Sequence, residues 1–152
     1  WRGIREDNPE LTRLAVTYAV IQVLVSFLVV RVLKIAIGSP RPDEGGFNVF
    51  FSMGGVHHAI PSGHTCEFAA AALGIGLWRL RWWLSGVLGI GLALEGFSRI
   101  YLSMHHPGDV ALGLMLGALA GAAIHVFSQE TWGGFSWWPR FKDWVKGLHI
   151  PG

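Results

Sequence analysis

Ser98-Arg99-Ile100-Tyr101-Leu102-Ser103-Met104-His105-His106-Pro107-Gly108-Asp109 is the stretch on which the reading of the fold turns. It sets an Arg, two His and an Asp between two strongly apolar segments. The spacing predicts one helix over about 83–101 and another over about 107–127. The second carries no Asp, Glu, Lys or Arg between Val110 and Gln129. Gly113, Gly117 and Gly121 recur every four residues along it and form a small-residue ridge, the kind that lets two helices approach closely.

Outward from this break the chain stays apolar. Its 152 residues are 51% hydrophobic and 14% charged, against about 25% charged in soluble domains. Mean hydropathy is +0.42. One domain is the expectation at this length, and the composition is that of a membrane protein. A net charge of +2, with no basic cluster interleaved with aromatics, gives nucleic acid no footing as a partner. The single cysteine, Cys66, cannot form an intrachain disulfide. No signal peptide is evident. The chain begins at Trp1 rather than Met, so helices upstream of it are expected to be missing.

Asn8-Pro9-Glu10 reads as a helix start. An uncharged run from Leu14 to Val30 continues as an apolar pattern to Ile37, long enough to cross a hydrocarbon core of roughly 30 Å. Gly38-Ser39-Pro40 stops it. Residues 38–61 form a Gly/Pro-punctuated loop of a length that is usually functional, with a short interfacial helix expected over Phe47–Met53. A further helix is expected from Ser62 to about Leu80, bounded by Arg79, Arg81, Trp82 and Trp83. The fold class is therefore all-α, an integral membrane bundle with four visible spanning helices. In the tail, Trp137, Trp138, Phe141, Trp144, Val145 and Leu148 fall at helical spacing among Arg140, Lys142 and Lys146, which predicts an amphipathic interfacial helix over 130–150.

Alternating helices place the 38–61 loop and the 102–106 break on one side. That side holds Lys34, Arg41 and Arg99, with Arg31 just inside the first helix. The other holds Arg2, Arg5, Arg13, Arg79, Arg81, Arg140, Lys142 and Lys146. The richer side is cytoplasmic by the positive-inside rule, so the loop side faces outward, most naturally across a plasma (inner) membrane.

Four places bring polar groups to that outer side: Lys34 and Arg41; Ser62-Gly63-His64; Arg99; and His105 with Asp109. Any one alone has an ordinary explanation as a snorkelling Lys, a cap or a turn residue. Together they have a chemical meaning. Three cations suit a phosphate dianion, with Arg supplying planar forks and Lys a point charge. Ser62, Gly63 and His64 open a helix, where free N–H groups bind anions. One His can attack phosphorus and a second can protonate the leaving oxygen. Asp109, four residues after His105, can hold an imidazole tautomer. No cofactor or metal is required.

Lys34-x6-Arg41-Pro42, then Pro61-Ser62-Gly63-His64, then Ser98-Arg99-x5-His105-x3-Asp109 resembles the three-part signature of the type 2 phosphatidic acid phosphatases. These are membrane relatives of acid phosphatases and vanadium haloperoxidases. The motifs span residues 34–109, and the resemblance extends over all four helices. It implies His105 as a nucleophile forming a phosphohistidine, Asp109 as its orienting partner, and His64 as acid and then base. It implies Lys34, Arg41, Ser62, Gly63 and Arg99 as phosphate ligands. Family members usually have about six membrane helices, so the whole chain is expected to be one membrane phosphatase domain lacking two upstream helices. His106 competes with His105, but only His105 satisfies both the gap from Arg99 and the spacing to Asp109.

Other residues read as supporting. His57 and His58 read as solvated loop residues, with contact to a headgroup or leaving group as the alternative, and a zinc site made from them with His64 lacks a recognised ligand pattern. Glu95, four residues before Arg99, reads as a within-helix ion pair that fixes it. Glu67 suits the helix dipole. The expected activity is hydrolysis of a phosphomonoester or pyrophosphate on a membrane lipid, with the bilayer and the phosphorylated lipid as partners. A non-catalytic or transport member of the same fold is the alternative. A vanadate-dependent haloperoxidase fits poorly, because that chemistry needs no lipid anchor.

Overall fold

The computed structural model describes residues 9–44 and 46–129. Helix α1 (Pro9–Gln22), a π-helical segment (Val23–Val29) and α2 (Val30–Ile37) follow one another without a break. Gly38 ends the run in the left-handed conformation, with φ 57, and its N–H bonds back to the Lys34 carbonyl at 3.0 Å. That is an αL stop of the kind glycine provides without steric cost. A side chain at Gly38 would also overlap the Val49 carbonyl oxygen, so only glycine fits the position.

The 38–61 loop then folds back on this helix end. The Val49 N–H bonds to the Gly38 carbonyl at 2.8 Å, the Phe51 N–H to Ala36 at 3.4 Å and the Ala59 N–H to Ser39 at 3.0 Å. Two of these satisfy carbonyls left orphaned where the helix stops. The interfacial helix expected over Phe47–Met53 does not form. Its amide groups are used to cap α2, and Phe51 adopts φ 60, which a right-handed helix cannot contain. The loop's one helical turn lies later, a 3₁₀ turn at Gly55–His57.

Helix α3 (Gly63–Trp78), α4 (Trp82–Tyr101) and α5 (Pro107–Ser128) complete the bundle. Their bounds fall within a few residues of those expected from the sequence. Among the described residues there is no strand. The glycine ridge does what its spacing implies. A Cβ at Gly113 would meet the Ser62 carbonyl, one at Gly117 would overlap the Cys66 carbonyl, and one at Gly121 would meet Leu73 and the Ala70 carbonyl. Partner numbers rise along both helices, so α3 and α5 run parallel with their N-termini at one end. Leu14, Ala70, Ala120 and Ile124 close the core at the other end, with Tyr18, Ile21, Val25 and Trp78 packed against them.

Two helical runs, Glu10–Ile37 and Pro107–Ser128, are long and apolar enough to cross a membrane. The sequence led us to expect four. Helix α3 has 16 residues, about 24 Å at about 1.5 Å per residue, short of a core of roughly 30 Å. Helix α4 has the length, but Trp82, Trp83, Ser85, Glu95, Ser98 and Arg99 dilute its apolar character. Its outward face is nevertheless greasy: Val87, Ile90, Leu94, Phe97 and Tyr101 are exposed at helical spacing. The predicted amphipathic tail over 130–150, and the cap at Asn8, lie outside the described residues.

Candidate active site

Parallel packing of α3 and α5 decides the site, because it brings two helix beginnings together. The Ser62 N–H donates to the Asp109 carbonyl at 2.9 Å and ties the ends to each other. Beyond α4 the chain turns through Ser103 at φ 52. The N–H groups of Met104 and His105 then both return to the Arg99 carbonyl, at 3.1 and 3.2 Å. Arg99 and His105 are thus joined through their own backbones.

A pocket of about 230 Å³ opens at this end, lined by Val30, Arg31, Lys34, Arg41, Gly63, His64, Glu67, Arg99, Met104 and His105. Pockets that enclose drug-sized ligands are about 300–1,000 Å³, so this one suits a headgroup rather than a whole lipid. Six of the eight residues singled out in the sequence line it: Lys34, Arg41, Gly63, His64, Arg99 and His105. Ser62 and Asp109 do not. Ser62 is fully buried as the residue preceding α3, and its hydroxyl pairs with Thr65 Oγ1 at 2.8 Å. Its N–H is committed to Asp109. The free donors at the start of α3 are therefore the N–H groups of Gly63, His64 and Thr65, which precede the first intrahelical bond, Cys66 N–H to Ser62 carbonyl.

His105 lies one residue before the cap of α5. Its side chain is buried, and Nδ1 stands 3.6 Å from Asp109 Oδ2. That is ion-pair contact rather than a tight hydrogen bond. The same Asp109 oxygen accepts the His106 N–H at 2.8 Å, so Asp109 also caps α5 from the third helical position. His106 is the N-cap residue and does not line the pocket. Burial lowers the pKa of His105 from its ordinary 6.5, and the Lys34 ammonium and Arg41 push the same way, against Asp109 and the Ala59 carbonyl. The net push favours the unprotonated ring.

The cations are positioned by neighbours. Arg99 Nε donates to Glu95 Oε1 at 2.7 Å, the pair its spacing implied. Arg99 Nη1 also reaches Met104 Sδ at 3.8 Å. Lys34 Nζ donates to the His58 carbonyl at 2.7 Å. The His58 ring contacts the Ser52 carbonyl at 2.9 Å, so His58 braces the loop. Among the described residues no group of three or more His, Cys, Asp or Glu side chains is placed to hold a metal.

Sequence reasoning passed over Arg31, Glu67 and Met104 as pocket residues. The signal for two of them was present. Arg31 is three residues before Lys34 and Glu67 three after His64, so each shares a helix face with a residue already chosen. Met104 carried none, since only the turn after α4 brings it to the pocket.

A helical bundle with this polar end belongs to a recognisable class: residues 11–132 match the family model of the PAP2 superfamily, and the chain is a member of it. Over 131 residues it is 24% identical to the putative undecaprenyl-diphosphatase YbjG of Escherichia coli, covering 84% of this chain and 65% of that protein. Over 121 residues it is 33% identical to the bacitracin transport permease protein BcrC of Bacillus licheniformis, covering 76% of this chain and 55% of that one. The chain thus spans less than two thirds of the length of either relative. No solved structure matches it.

Proposed function

We propose that this chain is the catalytic domain of an integral-membrane phosphatase that removes a phosphate from a phosphomonoester or pyrophosphate lipid at the outer face of the membrane. The observation that carries this reading is the convergence of Lys34, Arg41 and Arg99 on one small pocket that also holds His64 and His105. The name of the Escherichia coli relative favours a polyprenyl pyrophosphate among the possible substrates. The surplus of Lys and Arg on the opposite side supports the outward orientation.

In the proposed reaction the three cations and the α3 N–H groups hold the non-bridging oxygens and offset charge as it spreads over them. Nδ1 of His105 faces Asp109, which leaves Nε2 to attack. A nitrogen–phosphorus bond forms as the bond to the leaving oxygen breaks, and His64 gives that oxygen a proton. Water then attacks the phosphohistidine, His64 takes a proton from it, and inorganic phosphate leaves with His105 restored. Asp109 steadies the positive charge that the ring carries in between. A transport role for the same fold is suggested by the name of the Bacillus relative; a nucleophile and an acid/base group in one pocket favour turnover.

The test is phosphate release from a panel of lipid phosphates and pyrophosphates by the detergent-solubilised chain. Release that persists in EDTA and is inhibited by vanadate is the expected result. Loss of activity with EDTA would overturn the metal-independent mechanism, and no release from any of the lipids would overturn the enzyme reading.

The lowered pKa of His105 makes a pH prediction. The nucleophile is the unprotonated ring, and its pKa is lowered from 6.5. Activity should therefore survive acidification past the ordinary imidazole value and fall only as pH drops through the lowered one. The acid limb of kcat/KM, which reports the free enzyme, should lie below pH 6.5; a limb above it would contradict the assignment.

Glu95 supports Arg99 without lining that pocket. Glu95→Gln keeps the shape but removes the charge, and a charge-assisted hydrogen bond is worth about 1.5–3 kcal/mol. The expected effect is a rise of roughly tenfold in KM and in the inhibition constant for inorganic phosphate, with kcat unchanged or raised, since weaker binding also speeds release of the product. Steady-state kinetics with phosphate as inhibitor checks it.

A further inference from the structure

We propose that the tip of the 38–61 loop is a membrane-docking element: Phe47, Phe50, Phe51 and Met53 sit in the headgroup–acyl boundary of the leaflet onto which the phosphate pocket opens. The inference rests on the membrane-spanning reading above.

Four large apolar side chains crowd into seven residues of this loop, with exposures of 91% for Phe47, 69% for Phe50, 78% for Phe51 and 82% for Met53. Single exposed hydrophobics are ordinary, but a contiguous patch marks an interaction site. The patch is not a slack segment waiting to collapse. Val49 and Phe51 are bonded to Gly38 and Ala36, and Ala59 to Ser39. The Lys34 ammonium holds the His58 carbonyl, and the His58 ring holds Ser52. Phe51 itself keeps φ 60, a conformation that bulky residues adopt only when their surroundings enforce it. The fold fixes this backbone firmly and still leaves the rings uncovered.

Position names the occupant. The loop is hydrogen-bonded to the last turn of the Glu10–Ile37 run, which is long and apolar enough to cross a bilayer. Its tip therefore stands where that helix leaves the hydrocarbon, the level at which aromatic side chains partition. The phosphate pocket opens at the same end, and Lys34 both lines it and holds the loop. A phosphate drawn from a lipid headgroup and rings seated among headgroups then require the same depth. The exposed Asp43 and Glu44, in the turn just before, mark the part of the loop left in water.

Single variants Phe50→Cys and Phe51→Cys, with Glu44→Cys and Leu119→Cys as references, would be labelled with bimane in the full chain and placed in phosphatidylcholine nanodiscs. Native Cys66 is 1% exposed, so the unsubstituted chain gives the background labelling. Nitroxide lipids carrying the spin label at a shallow acyl position should quench the labels at 50 and 51 at least about threefold more than aqueous iodide does, as insertion to about 5–10 Å implies. Iodide should dominate at 44. Position 119, exposed midway along α5, reads out the spanning reading with lipids labelled near the acyl terminus: failure of these to quench there sinks that reading. Quenching at 119 with iodide dominating at 50 and 51, or with neither quencher reaching them, overturns the docking loop alone. The last pattern would mean that protein, such as a second copy of the chain, covers the patch.

Discussion

His105→Ala is expected to abolish turnover, with kcat falling by at least about 10⁴-fold, the scale on which losing a covalent nucleophile acts. Binding should survive. The cations and the α3 N–H groups remain, so the inhibition constant for inorganic phosphate should move only a few-fold, by roughly 1 kcal/mol or less. His64→Ala supplies the contrast that separates the two rings. If His64 donates the proton to the leaving oxygen, its loss should be severe for an alkyl phosphate and much milder for p-nitrophenyl phosphate, whose leaving group departs without help. Phosphate release from both substrates measures the split. Full activity in His105→Ala, or an equal loss on both substrates in His64→Ala, would refute the respective role.

Gly117→Val should be the most damaging change away from the pocket. A Cβ there overlaps the Cys66 carbonyl and crowds the Ala69 Cβ, and backbone cannot step aside as a flexible side chain can. Overpacking costs about 1–3 kcal/mol when neighbours adjust, and here the neighbour is a helix, so a loss of about 3 kcal/mol or more is expected. Activity should fall as well. His64 begins α3 and His105 precedes α5, and wedging these helices apart separates the two rings. Gly86→Ala is the matched control, because nothing stands within 4 Å of its Cβ position; it should be neutral or slightly stabilising. Thermal unfolding in detergent, with kcat measured below the transition, checks both. An intact unfolding temperature in Gly117→Val would mean the ridge is not a packing surface.

Much of this arrangement was legible because it is local. Helix stops at Gly38 and starts at Pro107 follow from residues whose backbone chemistry allows little else, and the Arg99–Glu95 pair follows from one turn of helix. The ridge of Gly113, Gly117 and Gly121 announced a close partner but not which one; that α3 and α5 run parallel followed from the alternation of the helices. What depended on long-range hydrogen bonds was misread. Phe47–Met53 has the greasy composition of an interfacial helix, yet its amides were needed by carbonyls at Ala36 and Gly38. Ser62 opens a helix as a phosphate ligand would, but its hydroxyl pairs with the Thr65 hydroxyl and its N–H with the Asp109 carbonyl. Its motif neighbours Gly63 and His64 do line the pocket. Arg31 and Glu67 were missed for a different reason. Neither belongs to a motif, and each reaches the pocket through the helix face it shares with Lys34 or His64.

The parallel pairing of α3 and α5 has an electrostatic consequence for what happens after chemistry. Two helix beginnings side by side would present two positive poles to the same space. Asp109 satisfies one of them internally, since its carboxylate accepts the His106 N–H at the start of α5. The start of α3 has no such acid in its first turn, so its pole stays open toward the pocket. On the proposed reaction, a site charged in this lopsided way attracts the departing phosphate as strongly as the arriving one. Escape of the product into water, rather than cleavage of the lipid, then becomes the natural place for the cycle to wait.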